Sequence, residues 1–254
     1  MTQTVHSTPT AQAIQPVSRQ TDFDQVADEY DESLPAHVVE HYLQKRVAFI
    51  RRHIPPGPTL DVGCGTGVLT ARLADLGYQM HGVDPSRGML AHLHQSRPDI
   101  PAIVGDGTAL PFPDGAFALT YCIAVMHHVA EKDAVRQTLL EMARVTRPGG
   151  RVLVWDHNPL NPYWRFLMRR VPQDTGAERL IPTDELLSGL RAGGAEPLVV
   201  THSGFVPDLV PPPLLRPMVA VERVVEATVG LNLICAHNVV LAAKSVEQPR
   251  PALK

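Results

Sequence analysis

Three glycines at alternate positions, Gly63, Gly65 and Gly67, follow the short apolar run Leu60-Asp61-Val62. An amphipathic stretch comes next, carrying Val68, Leu69, Ala71, Leu73, Ala74 and Leu76. That order reads as a strand, a tight turn and a helix N-terminus. Glycine has no Cβ, so backbone N–H groups in such a turn approach a ligand closely. The helix N-terminus adds partial positive charge, which suits a carboxylate or a phosphate. The dinucleotide fingerprint G-x-G-x-x-G needs a glycine where this chain has Val68, so the spacing disfavours a nicotinamide dinucleotide. A carboxylate, Asp84, closes the next apolar run, His81-Gly82-Val83. An acid at about this distance from the turn suits a ribose diol, because one carboxylate accepts from both hydroxyls. Two adjacent histidines, His127 and His128, follow the apolar run 117–123. Imidazole titrates near neutrality and can orient or deprotonate a substrate.

The segment 60–67 resembles motif I of the class I S-adenosylmethionine (SAM)-dependent methyltransferases, in which an acid precedes the first glycine. Further on, Ala109-Leu110-Pro111-Phe112-Pro113-Asp114-Gly115-Ala116-Phe117 is similar to the "A-x-x-L-P-F-x-D-x-x-F-D" signature of the methyltransferase-11 group. That group is related to ubiquinone- and menaquinone-biosynthesis methyltransferases. Ala118 replaces the last acid of the signature. Met126-His127-His128 stands where the family carries Leu-His-His, and Tyr30-Asp31 resembles its Tyr-Asp lid. The resemblance implies SAM as the cofactor. It places Tyr30, Asp61, Gly63, Cys64, Gly65, Gly67, Asp84, Pro85, Met89, Asp106, Gly107 and Ile123 along it. In the family the acid at Asp84 holds the ribose, and the acid at Asp106 accepts from the adenine amino group. His127 and His128 then lie beside the sulfonium and the acceptor as the catalytic residues, with no metal implied.

The elements that must position these groups alternate. A helical stripe at Phe23, Val26, Ala27 and Tyr30 precedes a second helix with Val39, Tyr42, Leu43, Val47 and Ile50 on one face. After Pro55-Pro56-Gly57-Pro58, strands at 59–62, 79–83, 101–104, 117–123 and 151–155 interleave with helices at 66–76, 86–96 and 132–146. Helix 183–192 and strand 197–202 follow an irregular segment, 157–182. A Pro-rich stretch, 207–217, leads to helix 218–229 and a last strand, 233–243. Such alternation predicts an α/β fold, a doubly wound, mostly parallel sheet. The resemblance makes it the seven-stranded Rossmann-like methyltransferase sheet, with N-terminal helices, a helical lid and the last strand antiparallel.

The expected organisation is a disordered tail at 1–20, one methyltransferase domain at 21–245 and a flexible tail at 246–254. Within the domain, 21–54 is a helical lid, and 157–182 and 205–230 form an acceptor-side cap. Trp155-Asp156-His157-Asn158-Pro159 leaves strand five on the ligand edge. Beyond it, Trp164, Phe166 and Leu167 alternate with Arg165, Arg169 and Arg170, a mixture that suits an apolar acceptor carrying an anionic group. The apolar helix 218–229 fits a lid, a membrane-facing surface, a core element or a homodimer contact equally.

Of 254 residues, 44% are hydrophobic and 19% charged, the composition of an ordinary globular chain. A net charge of -3 argues against a broad nucleic-acid surface. Cys64, Cys122 and Cys235 lack metal-ligand spacing and suit buried reduced thiols. Residues 1–20 carry no apolar signal core, and no apolar run is long enough to span a bilayer, so a cytoplasmic location is expected. The function that fits is methyl transfer from SAM to a small, lipophilic or lipid-linked acceptor, at oxygen, carbon or nitrogen. A tRNA or protein methyltransferase, or a SAM-binding scaffold without catalysis, are the alternatives. No Asn/Asp-Pro-Pro-Tyr motif follows strand four to hold a planar amino group.

Overall fold

The computed structural model describes residues 22–32, 34–167 and 178–246. The expected N-terminal tail, and all of the C-terminal one but Val246, lie outside them. Two helices come first, α1 (Phe23–Val26) and α2 (Ala36–His53). Then follow β1 (Pro58–Val62), α3 (Val68–Ala74), β2 (Gln79–Asp84), α4 (Arg87–Ser96), β3 (Ala102–Val104) and β4 (Phe117–Ile123). After β4 come α5 (Met126–Val129), α6 (Lys132–Val145), β5 (Thr146–His157) and α7 (Pro162–Leu167). The chain continues with α8 (Thr183–Ala192), β6 (Ala195–Ser203), α9 (Pro212–Ala227) and β7 (His237–Lys244).

The seven strands form one sheet in the order β3-β2-β1-β4-β5-β7-β6. Strands β1 to β5 pair in parallel, and β7 inserts antiparallel between β5 and β6. The period-2 alternation of the strands divides the core. Along β5, Val152 and Val154 face the cluster with Leu139, Met142, Leu186 and Leu190. Leu153 and Trp155 face the opposite cluster, with Leu43, Ile50, Leu73 and Leu93. Helices therefore cover both faces, which is why the central strands read as nearly unbroken apolar runs. The strand order reverses between β1 and β4, and ligands of such sheets bind outside the carboxyl ends of the strands at that point.

Three segments differ from the sequence reading. The helix placed at 218–229 begins earlier, at Pro212, inside the Pro-rich stretch. Pro211 is its N-cap, and Pro212 and Pro213 occupy first-turn positions whose N–H groups lack intrahelical partners in any case. The prolines start this helix, although Pro217 also lies within it. The last strand starts at His237, because residues Asn232–Ile234 form a 3-10 turn. The first helical stripe is also broken: α1 ends at Val26, and Tyr30–Glu32 forms a separate 3-10 turn.

Candidate functional site

Two clefts open at the carboxyl edge of the sheet and meet over the glycine turn. The first, about 470 Å³, is lined by Asp84, Pro85, Met89, Asp106 and Gly107 among others. The second, about 340 Å³, is lined by Asp61, Cys64, Arg46, His127, His157 and Trp164 among others. Tyr30, Gly63, Gly65, Ile123, Ala124 and His128 line both.

The turn is shaped by backbone that favours glycine. Gly65 has φ +55, and a Cβ added there would meet nothing within 4 Å, so its missing side chain leaves open space over the clefts. Gly63 and Cys64 donate their N–H groups to the Val83 carbonyl, and Gly65 N donates to Asp84 Oδ2 at 2.8 Å. Asp84 Oδ1 accepts from Ser86 N at 2.9 Å, while Ser86 itself caps α4 by accepting from Met89 N. The carboxylate is thus fixed at the strand end by two backbone donors, and its remaining lone pairs are available to hydroxyls. Burial raises the Asp84 pKa, partly offset by those two N–H bonds.

Beneath the turn, Asp61 Oδ2 accepts from Thr70 Oγ1 at 2.6 Å and Tyr121 Oη at 2.7 Å. Burial pushes Asp61 up to about 7 against these two donors. Asp106 lies on the exposed rim of the first cleft, its Oδ1 accepting from Thr108 N at 2.8 Å. The N-terminal segment folds across this region. Asp24 Oδ1 accepts from Ser86 Oγ and Gly88 N, and Asp31 Oδ1 accepts from Thr66 Oγ1 at 2.8 Å. Gly67 lines neither cleft. With φ +81, and with an added Cβ only 2.3 Å from Leu93 Cδ1, it serves the close packing of α3 on α4.

The histidines divide. His127 is 1% exposed, and its Nδ1 donates to Asp156 Oδ1 at 2.6 Å. Asp156 also accepts from the backbone N–H groups of His127 and His157. Burial alone would raise the Asp156 pKa, but the His127 charge and these hydrogen bonds hold it below the ordinary value. A carboxylate on Nδ1 fixes the orientation of the imidazole and stabilises its protonated form. The His128 ring lies tilted against that of His127 at 4.0 Å, and its pKa is pushed down to about 3, by burial first and then by the His127 charge. The His157 ring lies tilted between those of His127 at 4.0 Å and Trp164 at 3.7 Å. His127, Asp156 and His157 place donor atoms within 4.8 Å of one another, as a metal site would. Asp156 Oδ1 already accepts from His127 Nδ1 and His157 N, so the group is built as a hydrogen-bonded network. At the β4 end, Ala124 has φ 56, a strained conformation for a residue with a Cβ, held by its N–H bond to the Trp155 carbonyl.

The sequence reading named the stretch 155–159 for the acceptor side, and the structure separates its members. Trp155 is core, Asp156 orients His127, and His157 lines the second cleft. Trp164 lines it too, while the side chains of Arg165, Phe166 and Leu167, and all of Arg169 and Arg170, lie outside the described residues. Arg46 was missed. Its Nε is buried without a hydrogen-bond partner among the described residues, beside the glycine turn. The signal was available: Arg46 lies in the apolar stripe of Tyr42, Leu43, Val47 and Ile50, where solvated arginine has no place.

The family description "Methyltransferase domain" matches residues 60–154. A demethylmenaquinone methyltransferase of Paenarthrobacter aurescens is 36% identical over 166 residues, covering 60% of this chain and 62% of the relative. That of Corynebacterium efficiens is 36% identical over 162 residues, covering 59% of this chain and 67% of the relative. The chain thus spans between 52% and 67% of the first curated relatives it matches. Among solved structures, a SAM-dependent methyltransferase of Thermotoga maritima shares the fold at TM-score 0.67 and 19% identity, covering 88% of this chain and 98% of that one. The chain belongs to the class I SAM-dependent methyltransferases, in the methyltransferase-11 group.

Proposed function

We propose that this protein transfers the methyl group of SAM to a small lipophilic acceptor held in the second cleft. The junction of the two clefts at Gly63, Gly65, Ile123 and Ala124 carries this reading, because a donor lying in the first cleft and reaching across the glycine turn to Arg46 would meet there an acceptor filling the rest of the second. The residues present fit the cofactor. Asp84 would hold the ribose hydroxyls and Asp106 the adenine edge. The open space over Gly65 admits the chain between them, and Arg46, whose buried Nε has no hydrogen-bond partner among the described residues, suits the methionine carboxylate. When bound, SAM supplies an activated methyl group on a sulfonium for in-line displacement.

The protein's own part is to position, to exclude water and to handle one proton. His127, oriented by Asp156, is the side chain placed to accept the proton of a hydroxyl or an acidic carbon on the acceptor, and Asp156 steadies the imidazolium that results. The relatives' name, demethylmenaquinone methyltransferase, points to a quinone-type acceptor. The walls agree with a flat apolar ring: His157, Trp164, Val38, Val39 and Tyr42 face the cleft.

Calorimetric titration with SAM and with its demethylated product tests the reading. Micromolar binding by the native protein is expected, and Asp84→Ala should weaken it about 100-fold through two charge-assisted hydrogen bonds. Thermal unfolding of the variant checks that the turn still folds. Absence of binding by the native protein refutes the assignment.

A further inference from the structure

Helix α9 is built inside out. Its two acids, Glu222 and Glu226, turn inward, and Glu222 is 1% exposed. Glu222 accepts from His41 at 2.9 Å, Lys45 at 2.8 Å and the backbone N of Phe205 at 2.7 Å. Glu226 accepts from Lys45, Ser203 Oγ and Gly204 N. Water instead meets Leu214, Val221 and Val224, the last 63% exposed. At the turn after the helix, Leu231, Leu233 and Ile234 are exposed as well. This tip is not loose chain. Asn158 Nδ2 donates to the Leu233 and Cys235 carbonyls, and Asn161 Nδ2 donates to the Ile234 carbonyl. Two buried asparagines therefore pin the backbone of the tip while its leucine and isoleucine side chains face out.

A patch of this kind marks an interaction surface. Its charge identifies the partner. The remaining charges of α9 are Arg216 and Arg223, both exposed and both basic. A two-fold contact with a second copy through this helix would bring arginines together with no outward acid of α9 to answer them. Anionic lipid headgroups answer them directly, while the valines and leucines enter the acyl boundary. The position supports the same partner. On its inner side α9 packs Leu215, Met218 and Val219 against Val38 and Tyr42, which line the second cleft. Trp164, on the same cleft, donates its indole N–H to Ala236 beside the tip. No described helix is long and apolar enough to cross a membrane, so the contact is peripheral.

We infer that the outer face of α9 and the 231–234 turn dock the protein on an anionic lipid surface, beside the cleft that takes the lipophilic acceptor. The inference goes beyond the proposed reaction and is tested apart from it. Full-length protein is sedimented with vesicles of phosphatidylcholine alone and of phosphatidylcholine mixed with phosphatidylglycerol. Binding to the anionic vesicles is expected, and it should weaken with salt. Val221→Asp/Val224→Asp should abolish it. Arg216→Gln/Arg223→Gln, which leaves the helix packing untouched, should cost about 25-fold, about fivefold for each charge. SAM titration and circular dichroism should match the native protein in both variants, which separates loss of docking from loss of the cofactor site or the fold. No vesicle binding by the native protein, or binding that neither variant changes, overturns the inference. So does a stable native dimer in light scattering that Val221→Asp/Val224→Asp dissolves, which assigns the face to a second copy.

Discussion

Replacing Arg46 by leucine should make the protein more stable and nearly unable to hold SAM. Arg46 enters the second cleft from α2 with a buried Nε that no described residue accepts from. Burial lowers its pKa, against the smaller opposing pull of Tyr30, Tyr42, Asp208 and Asp61. Two carboxyls of the same cleft do little to offset it: burial pushes Asp61 up to about 7 and Asp208 up to about 6. Arg46→Leu removes that penalty, keeps an apolar stem against Tyr42 and Leu43, and should raise the unfolding free energy by about 2 kcal/mol. The methionine carboxylate would lose two charge-assisted hydrogen bonds of about 1.5–3 kcal/mol each, so SAM should bind at least about 100-fold more weakly. Urea unfolding and calorimetric titration read the two effects. Adenosine, which has no carboxylate, is the internal control and should bind the variant and the native chain alike. SAM affinity within about threefold of native, or an equal loss for adenosine, would show that Arg46 does not hold the carboxylate. A destabilised variant would show that the guanidinium is already satisfied in the folded protein.

Two further outcomes follow from the hydrogen-bonded carboxylates. Asp156→Asn should lower kcat by about 10²–10⁴ with SAM affinity unchanged, because an amide no longer selects the His127 tautomer or steadies its cation; an unaltered pH–rate profile with a quinol acceptor would refute that role. Glu222 has its pKa brought down from 4.5 to about 2 in the folded protein, where His41 and Lys45 outweigh its burial. A depressed carboxylate stabilises fully above its unfolded pKa and loses that contribution as pH falls through the folded one. Native stability should therefore drop by about 3 kcal/mol between pH 4.5 and 2 from this group. Glu222→Gln should already lack it at neutral pH, and an equally steep acid loss in the variant would exclude Glu222 as the cause.

The functional reading was legible where chemistry and backbone are local. The glycine turn, Asp84 and the paired histidines lie within a few residues of strand ends, so spacing alone placed them at one edge. Gly67 shows the limit: its type and position looked like ligand contact, yet Leu93 from another element decides its role. Asp156 was named only as part of an acceptor-side stretch, since nothing in its neighbours tells that it meets His127, 29 positions earlier. Helix α9 was misread at its start because prolines look like breakers in a string and act as starters at a helix N-terminus.

The sequence by itself determined the α/β alternation, the nucleotide-type turn and the order of the groups along the sheet edge, because periodicity and turn chemistry are properties of short segments. Tertiary structure alone decided which way α9 faces, that Arg46 Nε is buried without a partner among the described residues, and that distant segments converge on His127 and its cleft. Those outcomes depend on which surface each element buries and which charges it meets there, and burial is settled only when the whole sheet has closed around them.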